Sequence, residues 1–387
     1  MSAQHEAAAR DEHDWSVEAW RPAPDQRTAA SATASQWRLM WWKFRRHRLA
    51  MVSGVVVIVI YLLALFADFV APVDPNLTST RHTYAPPQSI GLFVDGAWLP
   101  HVNGYKVEID PIAVRRTFVE DPEKIVPIGL FVRSEPYEFL GLFTLHTRLI
   151  GPLEPGQPFY LLGADRLGRD VLSRILHGAR VSMSIGLVGV AVSLGLGVLL
   201  GGISGYHGGW VDDAVQRLIE LLKAIPTIPL WMGLAAAIPA TWSPLTVYFA
   251  ITVLISLIGW TSLAREVRGR FLSMKSEDFV TAARLDRASE LRVIMRHMAP
   301  SFVSHIIATL TLAIPAMILA ETALSFLGIG LRAPVVSWGV LLQEAQNVRA
   351  VATAPWLLTP GLAVVIAVLS LNFLGDGLRD AADPYAD

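Results

Sequence analysis

Six long apolar runs, at 49–71, 181–203, 213–238, 245–263, 303–327 and 356–375, decide what this chain can become. Each approaches the roughly 20 residues that an α-helix needs to cross a bilayer core. In lipid every backbone N–H and C=O must find a partner within the protein, so such runs are helical. The sequence therefore predicts an all-α integral membrane protein with six transmembrane helices. Composition agrees, since 53% of the 387 residues are hydrophobic and only 17% are charged, outside the usual range of soluble domains. A net charge of -1 excludes the broad basic field of a nucleic-acid-binding protein, and no nucleic acid is expected among its partners. The absence of cysteine removes disulfides, thiolate metal sites and cysteine nucleophiles.

Basic residues are concentrated at two places. Arg38, Lys43, Arg45, Arg46 and Arg48 precede the first run, and Arg265, Arg268, Arg270, Lys275, Arg284, Arg287, Arg292 and Arg296 fill the loop between the fourth and fifth. Excess Lys and Arg in short flanks marks the cytoplasmic face. Six spans return the chain to its starting side, so both termini are expected in the cytoplasm. The first 36 residues lack an apolar core and read as a retained tail, not a cleaved signal peptide. In residues 1–48 that tail leads into an interfacial elbow, where Trp37, Trp41, Trp42 and Phe44 mix with basic residues as in helices lying at headgroup level. The first transmembrane helix follows at 49–71, then an extracytoplasmic insertion at 72–165, then a transmembrane domain at 166–387 containing the basic loop 264–300. Alternating runs at 91–99, 105–109 and 129–132, set among Pro and Gly, make the insertion a small strand-bearing unit. Long loops are exempt from the charge rule, so its arginines do not conflict with this topology.

Three features inside the spans invite a functional reading and a plainer one. Gly189, Ser193, Gly197, Gly201 and Gly205 are four apart and form a stripe against which another helix can pack closely. Pro226 and Pro229 each delete a backbone hydrogen bond, so the third span is kinked or broken, at a place that could belong to the pathway or a gate. Glu321 lies near the far end of the fifth span and is either structural or a pathway or gate residue. Arg217, Glu220 and Lys223 fit an ion cluster at a span end better than a proton relay. His207, His297 and His305 have no spacing suited to a metal, and no Gly-Lys-Ser/Thr phosphate loop is present, so the chain is not expected to hydrolyse ATP or to bind a metal.

In the basic loop, helix-favouring residues follow Phe279, Asp286 and Arg287 interrupt them, and Ser289 can cap a second helix. Leu291, Ile294, Met295 and Met298 fall at i, i+3, i+4 and i+7, the spacing of one apolar helix face. Read from the residues alone, this is two short helices at a turn, which could serve only to connect two spans.

Thr281, Ala282, Ala283, Arg287, His297, Ala299 and Pro300 align with the EAA loop of ATP-binding-cassette importer permeases. The Ala pair and the Pro match, while Glu, Gly, Ile and Leu of the family pattern are replaced. Ala282-Ala283-Arg284 and Arg296-His297 before Pro300 repeat the variant found in peptide-type members. The segment Leu162-Gly163-Ala164-Asp165 with Gly168-Arg169-Asp170-Val171-Leu172-Ser173-Arg174 resembles that family's motif before the second span. Ala320-Glu321 with Leu324-Ser325-Phe326-Leu327-Gly328, and Gly375-Asp376-Gly377-Leu378-Arg379-Asp380 with Asp383-Pro384, resemble two more. With four matches in family order, the chain resembles the oligopeptide/dipeptide/nickel type of importer permease, on the side of the second permease.

The resemblance implies a type I importer architecture and a non-enzymatic transport subunit in the bacterial inner membrane. It also implies a heterodimer with a second permease, two cytoplasmic ATPase subunits or domains that use ATP and Mg, and an extracytoplasmic binding protein that delivers a short peptide. The basic loop would be the element that couples to the ATPase, through Glu277, Asp278, Phe279, Ala282, Ala283, Arg284, Asp286, Arg287 and Ser289. The long insertion suggests a variant subgroup for larger or modified peptides. The family's turn glycine is Arg287 here; a non-glycine residue with positive φ costs about 1–2 kcal/mol, and Asp286 is expected to take the strained position while the turn survives. Nickel or another small solute is the alternative cargo. An ion-coupled secondary transporter would need charged residues at mid-span and inverted repeats, and an embedded enzyme a catalytic cluster; neither pattern is seen.

Overall fold

The computed structural model describes residues 36–110, 115–239, 241–298 and 303–382, so most of the expected N-terminal tail lies outside the described residues. The chain enters through α1 (Gln36–Arg46), whose last turn carries Lys43, Arg45 and Arg46, the end of a helix where cations are favoured. The Arg38 guanidinium lies 5.1 Å over the Trp42 ring, and Trp41 stacks on Phe44 at 6.0 Å. After the break at His47, whose Nδ1 accepts from the Ala50 N–H at 3.1 Å, α2 (Arg48–Leu65) begins. It buries Ala50, Ser53, Val57 and Ala64, yet Val52, Val55, Ile58, Val59 and Leu62 on its other side are exposed. A helix apolar all round belongs in lipid or in a protein core. A short α3 (Ala67–Val70) ends the first span.

The insertion is a four-stranded antiparallel meander of β1 (Ile90–Val94), β2 (Ala97–Asp110), β3 (Arg115–Phe139) and β4 (Phe143–Pro152), in that order. The run at 91–99 is a hairpin and not one strand: Asp95 and Gly96 both have positive φ, 48° and 82°, which a two-residue turn matching the strand twist requires. Val102, Val126, Ile128 and Phe159 close a small core beneath the sheet.

The bundle follows as α4 (Val171–His207), α5 (Gly209–Ala224), α6 (Thr227–Ala236), α7 (Pro244–Met274), α8 (Asp278–Leu285), α9 (Glu290–Arg292), α10 (Val303–Phe326), α11 (Trp338–Gln343), α12 (Val348–Thr353) and α13 (Thr359–Ala382). Among the described residues, five helices are long and apolar enough to span a bilayer, and the count reaches six only if α5 and α6, bent by 87° at their junction, form one span. The break falls where the two prolines of the third apolar run place it. Ile225 is extended (φ -87°, ψ 127°) and Pro226 caps α6 at φ -55°, ψ 126°, because the residue before a proline is driven out of the helical region.

The small-residue stripe of α4 packs on α7. A Cβ on Gly197 would stand 2.9 Å from the Leu263 side chain, one on Gly201 2.8 Å from the Ala264 Cα, and one on Gly205 2.7 Å from the Arg268 carbonyl. The Ser256 Oγ donates to the Gly189 carbonyl at 3.0 Å and the Ser193 Oγ to the Ser256 carbonyl at 3.3 Å. Close backbones with hydroxyls between them are how helices associate where water supplies no driving force. Beyond this seam α2, α4, α10 and α13 share a core built on Val57, Met183, Ile318 and Leu371.

Candidate functional site

At the basic end of the bundle, α7 leads into the loop through Glu277, whose carbonyl accepts from the Val280 and Thr281 N–H groups, both at 3.1 Å. In α8 the positions Val280 and Ala283 are buried, whereas Phe279, Ala282 and Leu285 are exposed, Leu285 by 79%. Residues three apart lie on one helix face, so α8 presents a three-residue apolar stripe outward and roots its opposite side inward. The stripe is bordered by exposed Glu277, Asp278, Asp286 and Arg287. Arg284 lies within α8.

The helix is interrupted at Asp286–Ser289, as the sequence predicts, with the Asp286 N–H bonded to the Ala282 carbonyl at 3.0 Å and the Ala288 N–H to the Ala283 carbonyl at 3.1 Å. The strained residue is not Asp286 but Arg287, at φ 55°. Asp286 is still held by a helical bond to Ala282, so the reversal falls one residue later, where the family pattern has its glycine. Ser289 occupies the cap position of α9 with extended dihedrals, but its side chain makes no capping hydrogen bond. Helix α9 then runs into a π-helical turn, Val293–Met298. This changes the buried face: Val293, Ile294 and Met298 are buried and Leu291 is exposed. Val293 and Met298 are five apart, the repeat of π hydrogen bonding, which a 3.6-residue reading places on different faces.

These buried residues join Val198, Tyr206, Leu263, Val267, Phe271 and Ile306 in one cluster, so the loop is seated on the basic ends of α4 and α7. A polar contact adds to it, with His207 Nε2 2.7 Å from Glu290 Oε2. The sequence reading missed this pair and the exposed Leu285. The signal for Leu285 was its three-residue spacing from Ala282 and Phe279. His207 and Glu290 gave none, being 83 positions apart in the numbering. Nearby, Arg268 of α7 pairs with Asp212 of α5, which also accepts from the Ser204 Oγ at 2.5 Å, tying three helices at the same end. Arg217 and Glu220 pair at 3.3 Å on an exposed surface, but Lys223 leaves that expected cluster and donates to the Ser262 Oγ at 3.2 Å. Pro226 and Pro229 are exposed at the α5–α6 bend.

Glu321 is fully buried. Its carboxylate accepts from the Oγ of Ser182 (3.1 Å), Ser325 (2.8 Å) and Ser337 (2.7 Å). Those hydroxyls in turn accept from backbone N–H groups of Trp338 (3.1 Å), Leu331 (3.0 Å) and Val340 (3.2 Å). Burying a carboxylate is costly unless hydrogen bonds satisfy it, and here three serines do so while fastening the 328–343 loop to α4 and α10. In this conformation Glu321 acts as a staple between these segments.

The motif before α4 makes a second knot on the insertion side. Asp165 accepts from the Arg169 Nε at 2.7 Å and lies 3.5 Å from the Arg174 Nε. Arg174 also donates to the Pro75 carbonyl at 2.9 Å, and Trp356 Nε1 to the Ala164 carbonyl at 2.9 Å. Gly168, at φ 70°, lies against the Ser79 backbone where a Cβ has no room. Asp170 caps α4 by accepting from the Ser173 N–H at 2.7 Å, and burial pushes its carboxyl up to about 6. Asp68 of α3 is held from α4, with His177 Nε2 at 3.0 Å and Arg180 NH2 at 2.9 Å from its carboxylate.

A bundle that is apolar on its outer faces, with a rooted loop at one end and a latched outer segment at the other, has the form of a membrane transport subunit. The profile of binding-protein-dependent transport system inner membrane components matches residues 197–386, and that of the N-terminal TM domain of oligopeptide transport permease C matches 35–87. The oligopeptide transport system permease OppC of Bacillus subtilis is 34% identical over 239 residues, 62% of this chain and 76% of its own length. The dipeptide transport system permease DppC of Haemophilus influenzae is 29% identical over 345 residues, 89% of this chain and 93% of its own. A chain of the inward-facing MetNI methionine ABC transporter aligns with 54% of this chain and 96% of itself, at 16% identity and TM-score 0.41. The chain belongs to the ABC importer permeases of the OppC/DppC kind. It is a multi-pass inner-membrane transport subunit and not an enzyme.

Proposed function

We propose that this chain is the second permease of a peptide importer. It pairs with another permease, moves short peptides, and takes its driving force from two ATPase subunits that bind ATP and Mg. The termini and the 264–300 loop face the cytoplasm, α5 and α6 act together as the sixth, broken span, and the insertion faces a substrate-binding protein. Glu277, Asp278, Phe279, Ala282, Ala283, Arg284, Asp286, Arg287 and Ser289 form the ATPase-coupling segment. Pro226 and Pro229, at a bend that this chain leaves unpacked, belong to the part of the pathway shared with the partner permease.

The observation that carries this reading is the two-faced α8. Val280 and Ala283 are rooted in the ends of α4 and α7, while Phe279, Ala282 and Leu285 are exposed. An apolar stripe ringed by charge on a loop outside the bilayer fits a groove in a soluble partner. Its rigid seat gives that partner leverage on two spans, and a bistable bundle turns such leverage into alternating access. Peptide cargo is supported by the relatives, which are named for oligopeptide and dipeptide transport. Co-expression with the ATPases and permease encoded beside it tests the assembly. Tagged protein is expected to retain an ATPase through purification, and Leu285→Asp to release it without loss of folded permease. Recovery of the chain with no ATPase would overturn the proposal.

A further inference from the structure

The insertion carries a second apolar surface, remote from the α8 loop. Residues 139–143 read Phe-Leu-Gly-Leu-Phe and form the tip of the β3–β4 hairpin. Phe139 pairs with Phe143, and Leu140 and Gly141 turn with φ 52° and 69°. Leu142 and Phe143 are 72% and 64% exposed. A soluble loop does not ordinarily spend its most exposed positions on such side chains. Directly behind the tip the next pair is Glu138 with Thr144, so the ribbon changes from apolar to polar within one residue step.

The position of the tip is fixed by α3 and the end of α2. Phe139 stacks on Phe66 at 5.9 Å, and the Leu140 N–H donates to Asp68 Oδ2 at 3.2 Å. Arg148 of β4 donates to the carbonyls of Asp68, Ala71 and Val73 at 3.2, 2.8 and 3.3 Å. Exposed Leu62 and Leu65 of α2 and Phe66, which follows it, thus lead into the hairpin tip through the Phe66–Phe139 stack. The level of the junction is marked by charge. Arg180 NH2 and His177 Nε2 both reach the Asp68 carboxylate, at 2.9 and 3.0 Å, a cluster that belongs at the polar edge of a bilayer and not in its core.

We infer that the 139–143 tip is a membrane anchor: it dips into the lipid interface beside the first span and holds the sheet against the bilayer surface. With a rise of about 3.4 Å per residue, the tip extends roughly 7 Å past the Glu138–Thr144 collar, comparable with the about 5–10 Å to which interfacial segments bury their apolar face. The occupant is lipid and not a protein groove, because the apolar surface is continuous with the outer face of a transmembrane helix and ends at a ring of polar residues.

The absence of cysteine permits a direct test. Leu142→Cys and, separately, Phe143→Cys are spin-labelled in the assembled transporter in phosphatidylethanolamine/phosphatidylglycerol nanodiscs, with Lys106→Cys on β2 as an aqueous reference. Power saturation is read against oxygen, which partitions into lipid, and a water-soluble nickel chelate. Both tip labels are expected to saturate more readily with oxygen than with nickel, and the Lys106 label to do the reverse. Preferential access to nickel at the tip would show a solvated hairpin, and poor access to both reagents a tip covered by a partner protein. Either result overturns the inference, whatever the cargo proves to be.

Discussion

The imidazole of His207, the last residue of α4, lies 2.7 Å from the carboxylate of Glu290, the first residue of α9, so the second span and the second arm of the loop are in direct contact. Both side chains are partly exposed, and such pairs contribute about 0–1 kcal/mol. Ile294, one turn further on, is buried in the cluster shared by α4 and α7. Truncating a buried isoleucine to alanine costs roughly 2–5 kcal/mol. Thermal unfolding of the purified protein is expected to fall clearly for Ile294→Ala and hardly at all for Glu290→Gln. The reverse order would mean that the ion pair, not the apolar seat, holds the loop.

Arg287 adopts φ 55° without the glycine that makes this conformation inexpensive. Arg287→Gly is expected to raise stability by about 1 kcal/mol, the strain of about 1–2 kcal/mol being relieved at some cost in unfolded-chain entropy. Arg287→Val is expected to lower it, since a branched Cβ fits that region worst. The unfolding midpoints of the two variants, measured beside the parent, decide this.

Removal of the Glu321 carboxylate by Glu321→Leu leaves the hydroxyls of Ser325 and Ser337 without their acceptor inside the protein. Each lost bond to a charged partner is worth about 1.5–3 kcal/mol, so the expected destabilisation is roughly 3 kcal/mol or more. Glu321→Gln keeps an acceptor oxygen and is expected to lose less. Limited trypsin cleavage after Arg332, in the loop that the serines fasten, should accelerate in the leucine variant and only slightly in the glutamine one.

Asp170 gives the protein a pH dependence of known sign. Its carboxyl, raised by burial to about 6 from 3.8, holds its proton more tightly in the folded state. Its contribution to stability is therefore fully present below about pH 4 and is lost as pH rises through about 6. At about 1.4 kcal/mol per pH unit the loss is of order 3 kcal/mol. Asparagine keeps the helix cap and cannot ionise. The stability of the parent relative to Asp170→Asn is expected to decline between pH 4 and 7 and to be flat above. A constant difference would contradict the burial of this group.

Hydropathy made the five long helices among the described residues legible, and proline chemistry located the break between α5 and α6, but not its 87° bend, because a proline removes a hydrogen bond without fixing the direction of the next helix. The Gly189–Gly205 stripe named its own role, since only close packing asks for small residues four apart. The loop was legible as two helices at a turn. Its π turn was not, and Leu291 was consequently placed inward although Val293 is buried in its stead. Glu321 illustrates the other limit. A carboxylate in an apolar run has the same sequence signature whether it faces a pathway or three serines, and Ser182, Ser325 and Ser337 are brought to it only by the fold.

The central claim is that force reaches the spans through the loop at 264–300, and ATP-driven peptide uptake by the reconstituted transporter tests it most directly. With Arg284→Glu and Arg287→Glu combined, uptake is expected to fall by roughly tenfold or more, equivalent to about 1.4 kcal/mol of lost coupling, while the folded permease is recovered in unchanged amount. Uptake equal to that of the parent protein, with both charges reversed, would contradict the account.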